Sequence, residues 1–233
     1  MPRDLSASLR SVPAIAGATE SGLAWLAAAC VWHERKPGTM LLDIGEDSRD
    51  VFFLISGKAR AKIYTTDGRT VIFHDLAAGE MFGELAAIDG RPRSASIEAV
   101  AHCTAVSLTA AQFETLLARE PTVAWAVLRL LAGTVRRLSE RVHEFSTLVV
   151  QNRIQAELLR LAATDGVAGA AGIRLSPAPT LADIADRVAT HREAVSRELS
   201  RLGAIGLLHR DGRSLVLTDL PRLAAMVREA KGE

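Results

Sequence analysis

One glycine-spaced segment carries the most distinctive chemistry of the chain. It runs from Gly79 to Glu98 and reads GEMFGELAAIDGRPRSASIE. Gly83-Glu84-Leu85-Ala86 predicts the first turn of a short helix, where free backbone N–H groups suit an anionic oxygen. Arg93 supplies planar, paired donors that match a phosphate, whereas the carboxylate of Glu84 only accepts hydrogen bonds and suits a sugar hydroxyl. The segment therefore predicts a site for the phosphate ester of a sugar.

The order FGELA followed by GRPRSAS resembles the phosphate-binding cassette of cyclic-nucleotide-binding domains. This resemblance implies that Glu84 holds the ribose 2′-hydroxyl and that Arg93 and Ser94 hold the cyclic phosphate, with help from the backbone of Gly83 and Leu85. It also implies a jelly-roll-like β-roll that encloses the ligand. The residues alone leave a second interpretation open, a structural loop in which Glu84 and Arg93 pair only with each other.

Length and charge bound the classes of protein that remain. The chain has 233 residues, which is about right for two domains. Its formal net charge is +1, so any contact with DNA must be local. Cys30 and Cys103 are far apart and form no C-x-x-C, which disfavours a disulfide framework, a zinc site and a Cys-ligated cluster. The apolar stretch from Leu23 to Cys30 is too short for a signal peptide or membrane span, and we expect a cytoplasmic protein.

The site must be positioned by β-structure, which we predict from Gly38 to Leu108. Short apolar or alternating runs are separated by glycines at intervals of roughly 11 or 12 residues, a rhythm typical of a small barrel or roll. Asp67-Gly68 predicts a hairpin turn. Residues 1–18 show no period, and Ser21 to Ala29 predicts a short helix.

A long helix is predicted after the β segment. Thr109 to Gln112 forms a capping box, and Pro121 ends or restarts the helix that follows. Apolar residues then keep a 3,4 spacing that predicts a coiled-coil seam between two copies of the chain, although a helix packed on its own domain stays open. The series comprises Leu128, Leu131, Val135, Leu138, Val142, Phe145 and Val149, and it closes on Asn152, a residue able to fix register.

The C-terminal third predicts a winged helix-turn-helix. Thr180 is a predicted N-cap, and Thr190-His-Arg-Glu193 is a second capping sequence shortly afterwards, so two short helices are closely joined. Residues 166–172 are predicted to form a loop of small residues, and Asp211-Gly212 is the predicted tip of a wing hairpin.

The second helix of this pair presents side chains suited to DNA. Arg192, Glu193 and Arg197 fall on one broad face, opposite an apolar face. Arginine pairs with guanine in the major groove, and a carboxylate accepts from cytosine. A recognition helix presents its N-terminal residues to base edges. The simpler interpretations are a solvated face for the arginines and helix capping for Glu193.

The sequence THREAVSRELSRL, with the wing after it, resembles the DNA-binding domain of the Crp–Fnr regulators, in their cyclic-AMP receptor protein branch. The resemblance implies an α+β protein with a β-roll at 1–120, a dimerisation helix at 121–152 and a winged helix-turn-helix at 153–233. A hinge is implied at the QNRI sequence around Asn152. The implied protein is a homodimer that binds cyclic AMP and then TGTGA-type palindromic DNA, contacts RNA polymerase, and is not an enzyme. Arg192, Glu193 and Arg197 are then the base-reading set, with Thr190 and His191 as further DNA contacts.

One departure from the family concerns the nucleotide base. A Thr-Ser pair on the long helix reads the adenine in the family, whereas this chain has Leu138-Ser139, and Thr134 one turn earlier is the nearest substitute. Cyclic-GMP-binding relatives carry a hydroxyl at the position of Ser94. The resemblance therefore implies cyclic AMP as the activating ligand and cyclic GMP as a second ligand.

Two other classes of function are alternatives to this one. A haem- or redox-sensing regulator of the same fold is the alternative, with His74 and His102 as candidate ligands. An enzyme is disfavoured because the sequence has no H-E-x-x-H, no G-x-S-x-G and no P-loop.

Overall fold

The computed structural model of the protein describes residues 5–66 and 68–232. It confirms the predicted α+β class, with a β-roll first, a long helix next and a winged helix-turn-helix last. The chain divides into two compact units that part within the long helix, between Val135 and Arg136. Among the described residues, no helix combines the length and the apolar character that crossing a bilayer requires.

The first unit is built on two four-stranded sheets. Its strands are β1 (Val31–Arg35), β2 (Met40–Leu42), β3 (Val51–Ser56), β4 (Lys58–Tyr64), β5 (Thr70–Ala77), β6 (Met81–Phe82), β7 (Ser96–Ala99) and β8 (Cys103–Leu108). One sheet has the order β1-β8-β3-β6 and the other β2-β7-β4-β5. The predicted hairpin is present, since β4 and β5 are neighbours, although Asp67 itself lies outside the described residues.

The apolar run in β3 is buried on both faces, and the strand period explains why. Phe52 and Leu54 belong to the cluster that the two sheets share. Val51 and Phe53 point the other way, into a second cluster formed with helices. A strand covered on both sides needs continuous rather than alternating hydrophobicity, which is what this run shows.

Helices cover that second face of the roll. They are α1 (Leu5–Arg10), α2 (Glu20–Ala29), α4 (Ala110–Arg119) and the start of α5 (Pro121–Thr147), while α3 (Glu84–Asp89) follows β6. The capping box at Thr109 is confirmed, and Pro121 restarts the helix as its first residue. Helix α1 was not predicted, because residues 1–18 show no period; its Leu9 and the following Val12 are nevertheless fully buried.

The prediction that one helix runs on to Asn152 is wrong. Helix α5 ends at Thr147, and α6 (Val150–Asp165) begins after Val149, whose backbone is extended. Asn152 and the rest of the QNRI sequence lie inside α6, where the Asn152 amide donates to Gln155 at 3.2 Å. The 3,4 spacing continues across this break, so periodicity alone does not reveal it.

The second unit carries the winged helix-turn-helix. Its further elements are β9 (Gly166–Gly169), β10 (Gly172–Leu175), α7 (Leu181–Arg187), α8 (Arg192–Ala204), β11 (Leu208–Asp211), β12 (Ser214–Leu217) and α9 (Leu220–Lys231). The sheet order is β11-β12-β10-β9, and the predicted wing is the β11–β12 hairpin. The loop predicted at residues 166–172 is wrong, because β9 and β10 pair there as a hairpin. Because strands pair through backbone groups, small residues can form a strand without the apolar pattern that predicts one from sequence.

The two helices of the motif begin differently. The Thr180 hydroxyl accepts from the backbone of Asp183, and the Asp183 carboxylate caps Thr180 in return, which confirms that N-cap. The capping box predicted at Thr190 is wrong. Helix α8 has His191 as its N-cap, without a side-chain hydrogen bond. Thr190 instead donates its backbone N–H to Ala185 at 3.0 Å and closes the turn between the helices.

Candidate functional site

The guanidinium of Arg93 is the centre of the candidate ligand site. The residue is only 4% exposed, and its side chain is held by three acceptors. Nε donates to Ser48 Oγ at 3.0 Å, Nη1 to the Gly83 carbonyl at 2.7 Å and Nη2 to the Asp50 carbonyl at 2.8 Å. A guanidinium has five N–H donors, so these acceptors leave one on each terminal nitrogen among the contacts of the described residues. That pair is the donor set that meets two phosphate oxygens.

Backbone contacts fix the segment from which Arg93 projects. Its N–H donates to the Glu46 carbonyl, and its carbonyl accepts from Gly45, both at 3.0 Å. Gly83, the N-cap of α3, has a φ of 82°. A Cβ at that position would lie 2.8 Å from Arg93 Nη1 and 2.9 Å from the Asp50 carbonyl oxygen. Only glycine therefore allows the turn to lie this close to the guanidinium.

Glu84 is the first residue of α3, as the sequence predicted. Burial raises the pKa of its carboxyl, against the opposing effects of a hydrogen bond from its own backbone N–H and the charge of Arg93. In the part of the chain that the structure describes, Arg93 is held by Ser48 and by two carbonyls rather than by Glu84. The interpretation that the two residues pair only with each other is therefore wrong.

The charges around Arg93 favour its cationic form. Burial lowers the pKa of the guanidinium, while the carboxylates of Glu46, Asp50 and Glu84 act in the opposite direction. Leu85, in the first turn of α3, and Ser94, the residue after Arg93, are both exposed. A buried cation with open donors, next to a partly buried carboxylate, can receive an anion that also carries a hydroxyl group.

The residues predicted to contact the base lie on α5. Thr134 is half-buried and donates its hydroxyl to the Leu130 carbonyl at 3.1 Å, while Leu138 and Ser139 are exposed. Thr134 belongs to the first unit, and Leu138 and Ser139 belong to the second. Their contact with a nucleotide base stays a prediction.

The predicted seam is an exposed apolar surface on α5. Its large exposed members are Leu128, Val135, Leu138, Val142 and Phe145, and the structure adds Trp125, which the sequence reasoning missed. Leu131 is the exception, since it packs partly into the core of the first unit. An apolar surface of this kind marks a contact with another molecule.

Helix α8 separates a buried face from an exposed one. Val195, Leu199 and Leu202 are buried in the core of the second unit, as predicted. The predicted DNA contacts His191, Arg192, Glu193 and Arg197 are all exposed. Ser196 and Ser200 are exposed as well. Sequence reasoning missed these two, although their spacing of four and eight residues from Arg192 puts them on the same side of a helix.

Comparison with known proteins assigns both units. The model of the cyclic nucleotide-binding domain matches residues 32–120, and that of the Crp-like helix-turn-helix domain matches residues 152–226. The chain is a member of the Crp–Fnr family. It is therefore a cyclic-nucleotide-binding, DNA-binding transcription regulator, and members of this family regulate transcription rather than act as enzymes.

Three relatives illustrate the range of this Crp–Fnr regulator's neighbours. The CRP-like cAMP-activated global transcriptional regulator of Mycobacterium tuberculosis is 29% identical over 79% of this chain and 82% of its own length. The cAMP-activated global transcriptional regulator CRP of Escherichia coli is 28% identical over 85% and 95%. The solved structure of the c-di-GMP responsive global regulator CLP of Xanthomonas campestris has a TM-score of 0.76 at 21% identity, covering 86% and 100%, and shows the shared fold.

A second set of buried charges lies in the winged-helix unit of this Crp–Fnr protein. Glu157 on α6 is 2% exposed and accepts from Arg141 at 3.0 Å and from Arg160 at 2.9 Å. Glu144 on α5 accepts from Arg160 at 2.8 Å and pairs with Lys231 on α9 at 3.1 Å. These pairs join the end of α5 to α6 and α9.

His74 and His102 are the candidate ligands of the haem- or redox-sensing alternative. His74 Nε2 lies 3.1 Å from Glu80 Oε1 on the surface of the roll, and His102 is exposed before β8. Burial raises the pKa of Cys30 to about 12, and burial also raises the pKa of Cys103. Both cysteines are therefore protonated thiols near neutral pH, whereas redox-sensing cysteines are thiolates.

Proposed function

We propose that this regulator binds cyclic AMP at Arg93 and Glu84 and that the bound nucleotide raises its affinity for DNA. The observation that carries the proposal is the buried Arg93 guanidinium, whose contacts with the described residues leave one N–H open on each terminal nitrogen. Two relatives named as cAMP-activated, from Mycobacterium tuberculosis and Escherichia coli, support the choice of ligand.

The chemistry of the ligand matches the site group by group. A cyclic phosphodiester carries one negative charge on two outer oxygens, which suits paired N–H donors on one guanidinium. The ribose 2′-hydroxyl suits the Glu84 carboxylate as a hydrogen-bond acceptor. Gly83 and Leu85 flank Glu84 in the sequence, and they are proposed to supply backbone N–H donors at the start of α3.

The base is selected less strictly than the phosphate in this proposal. Leu138 has no polar group to contact adenine, so Ser139 and Thr134 are the proposed base contacts. The exposed hydroxyl of Ser94 offers a partner to guanine. Cyclic AMP is accordingly the proposed activating ligand, and cyclic GMP is a proposed second ligand.

The active form is proposed to be a homodimer. The exposed apolar surface on α5 supports two copies packing through this helix, as a coiled-coil seam requires. Each subunit then contributes the β-roll, the helix α5 (Pro121–Thr147) and the winged helix-turn-helix that begins with α6. Ligand binding is proposed to change α5, and this change is proposed to alter how the winged helix-turn-helix binds DNA.

The proposed DNA target is a TGTGA-type palindrome. The exposed residues Arg192, Glu193 and Arg197 support base reading by α8, and two such helices would enter the major groove about 34 Å apart, one turn of the duplex. His191 is a proposed phosphate contact, and Thr190 is a further proposed DNA contact. RNA polymerase is a proposed partner, and the cytoplasm is the proposed location, because a regulator of transcription must reach both polymerase and DNA.

Calorimetric titration with cyclic AMP and cyclic GMP tests the nucleotide site. Arg93→Ala removes a charge-assisted contact and should weaken binding by ~1.5–3 kcal/mol. Arg91→Ala is the matched control, because Arg91 is an exposed arginine two residues away. Normal nucleotide affinity in Arg93→Ala, or no affinity for either nucleotide in the unmodified protein, would refute the proposed site.

A further inference from the structure

Ser48 is the one side chain among the three acceptors that hold the Arg93 guanidinium. Its Oγ lies 3.0 Å from Nε, whereas the acceptors of Nη1 and Nη2 are the backbone carbonyls of Gly83 and Asp50. Ser48 lies in the segment that connects β2 to β3 and is half-buried. Because a carbonyl is common to every residue type, the Ser48 hydroxyl is the part of this arrangement that a substitution can remove.

Three contacts together set the orientation of a planar group. The carbonyls of Gly83 and Asp50 each take one donor of a terminal nitrogen. A third acceptor at Nε, the inner end of the fork, restricts rotation of the guanidinium plane around the side-chain axis. If that acceptor is removed, the buried Nε–H has no partner. Rotation of the guanidinium toward another acceptor then lowers the free energy.

We propose that Ser48 is a positioning residue for nucleotide binding: its hydroxyl holds the Arg93 guanidinium in the orientation that presents two N–H groups to the cyclic phosphate. Ser48 acts through Arg93 and does not itself contact the phosphate. This inference rests on the proposed function, since it concerns how the same site recognises its ligand.

The electrostatics of the site make this neutral contact informative. The carboxylates of Glu46, Asp50 and Glu84 stabilise the charge of Arg93 from nearby, yet the three direct acceptors are a hydroxyl and two carbonyls. A carboxylate in direct contact would compete with an incoming phosphate for the same donors. A serine hydroxyl orients the guanidinium and leaves its charge available to the ligand.

Cyclic AMP affinity, measured by calorimetry or equilibrium dialysis, tests the role of Ser48. Ser48→Ala should weaken binding about tenfold, as expected for a lost hydrogen bond to a charged group. Ser48→Thr keeps the hydroxyl and should restore affinity to within about threefold. Ser11→Ala is the control, because it removes a hydroxyl that bonds the Ser8 carbonyl on the surface of the first unit.

A double substitution separates positioning from a general structural role. In an Arg93→Lys background there is no Nε–H for Ser48 to accept, so adding Ser48→Ala should change the affinity no further. Equal losses in both backgrounds, or normal affinity of Ser48→Ala in the otherwise unmodified protein, would overturn the proposal.

The same measurements distinguish this proposal from the proposed function. If the unmodified protein binds cyclic AMP and Arg93→Ala does not, but Ser48→Ala binds normally, only the role of Ser48 is wrong. If the unmodified protein binds neither cyclic nucleotide, the role of Ser48 is refuted together with the proposed ligand.

Discussion

Two sets of buried charges, one in each unit, are satisfied in opposite ways. In the first unit, Arg93 is buried and held by three neutral acceptors, and two of its donors have no partner among residues 5–66 and 68–232. In the second unit, Glu157 and Glu144 are buried among cations from α5, α6 and α9, in a connected set of ion pairs. Each of these carboxylates is contacted by at least two cations.

The difference distinguishes the proposed binding site from a structural element. Burying a charge costs free energy unless the charge is paired. A buried cation with unused hydrogen-bond donors therefore indicates a site where a ligand supplies the missing acceptors. A buried network whose partners all belong to the protein has nothing left to offer a ligand, and losing one member exposes the cost of the rest. We therefore expect substitutions in the first set to affect binding and those in the second set to affect stability.

The largest expected effect is on the stability of the second unit. Glu157→Gln removes a buried carboxylate that contacts Arg141 and Arg160, and should destabilise this unit by about 3–5 kcal/mol. All three tryptophans, Trp25, Trp32 and Trp125, lie in the first unit. In urea, the helical circular dichroism should therefore be lost earlier while the tryptophan fluorescence transition stays in place.

Glu140→Gln is the matched control for this substitution, because Glu140 is an exposed carboxylate on the same helix as Glu144. If Glu157→Gln and Glu140→Gln unfold alike, the network contributes no stability and the contrast between the two units fails.

The next largest effect separates two arginines on α8. Arg197 is exposed on the proposed reading face, and its replacement by Ala should weaken operator binding by about 1–3 kcal/mol at unchanged melting temperature. Arg201 is committed to buried Glu198, with contacts at 2.7 and 2.8 Å, and its replacement should lower the melting temperature instead. Fluorescence anisotropy on labelled DNA and calorimetric melting measure the two effects, and a reversed pattern would show that Arg201 is the reader.

A smaller effect is expected from closing the space beside Arg93. Gly83→Ala places a methyl group 2.8 Å from Nη1 at a positive φ, which should cost about 1–2 kcal/mol of stability. The guanidinium should shift, so nucleotide affinity should fall as well. Gly68→Ala has a similar φ of 77° with open space around its Cβ, and controls for backbone strain alone. Equal nucleotide affinities of the two variants would mean that contact with Arg93 does not matter.

The smallest expected effect is a pH dependence from Glu84. Burial raises its pKa in the folded protein, so the ionised carboxylate costs stability above that pKa, and the cost is relieved as the pH falls through it. Nucleotide binding has the opposite sign, because only the carboxylate form accepts fully from the 2′-hydroxyl. Affinity should therefore fall on acidification, beginning above the usual range for a glutamate. The Glu84→Gln variant should bind the nucleotide more weakly at neutral pH, and its affinity should not fall on acidification. If the affinity of this variant followed the same pH profile as that of the unmodified protein, Glu84 would not belong to the site.

Local patterns predicted the structure around Arg93, whereas the binding of a ligand by these residues stays a prediction. The order Gly83, Glu84 and Arg93 was enough to place a short helix, a carboxylate and a guanidinium together, because all three lie within eleven residues. The three acceptors of Arg93 could not be predicted in the same way, since Ser48 and Asp50 are more than forty residues away and two of the acceptors are carbonyls.

The sequence was less informative about the joint between α5 and α6. A heptad pattern records which side of a helix is apolar, and it continues unchanged through the two residues where α5 stops. The buried network did leave a signal that was missed. Glu157 falls on the apolar side of α6 with Ile154, Leu158 and Leu161, where a charge needs a partner.

Binding of the cyclic phosphate by Arg93 is proposed to control the affinity of the protein for DNA. Operator affinity of the full chain, measured with and without saturating cyclic AMP, tests it most directly in the unmodified protein, in Arg93→Ala and in Arg91→Ala. We expect cyclic AMP to tighten DNA binding by about 5- to 150-fold in the unmodified protein and in Arg91→Ala, and to have no effect in Arg93→Ala. Equal DNA affinity with and without cyclic AMP in the unmodified protein would contradict the account.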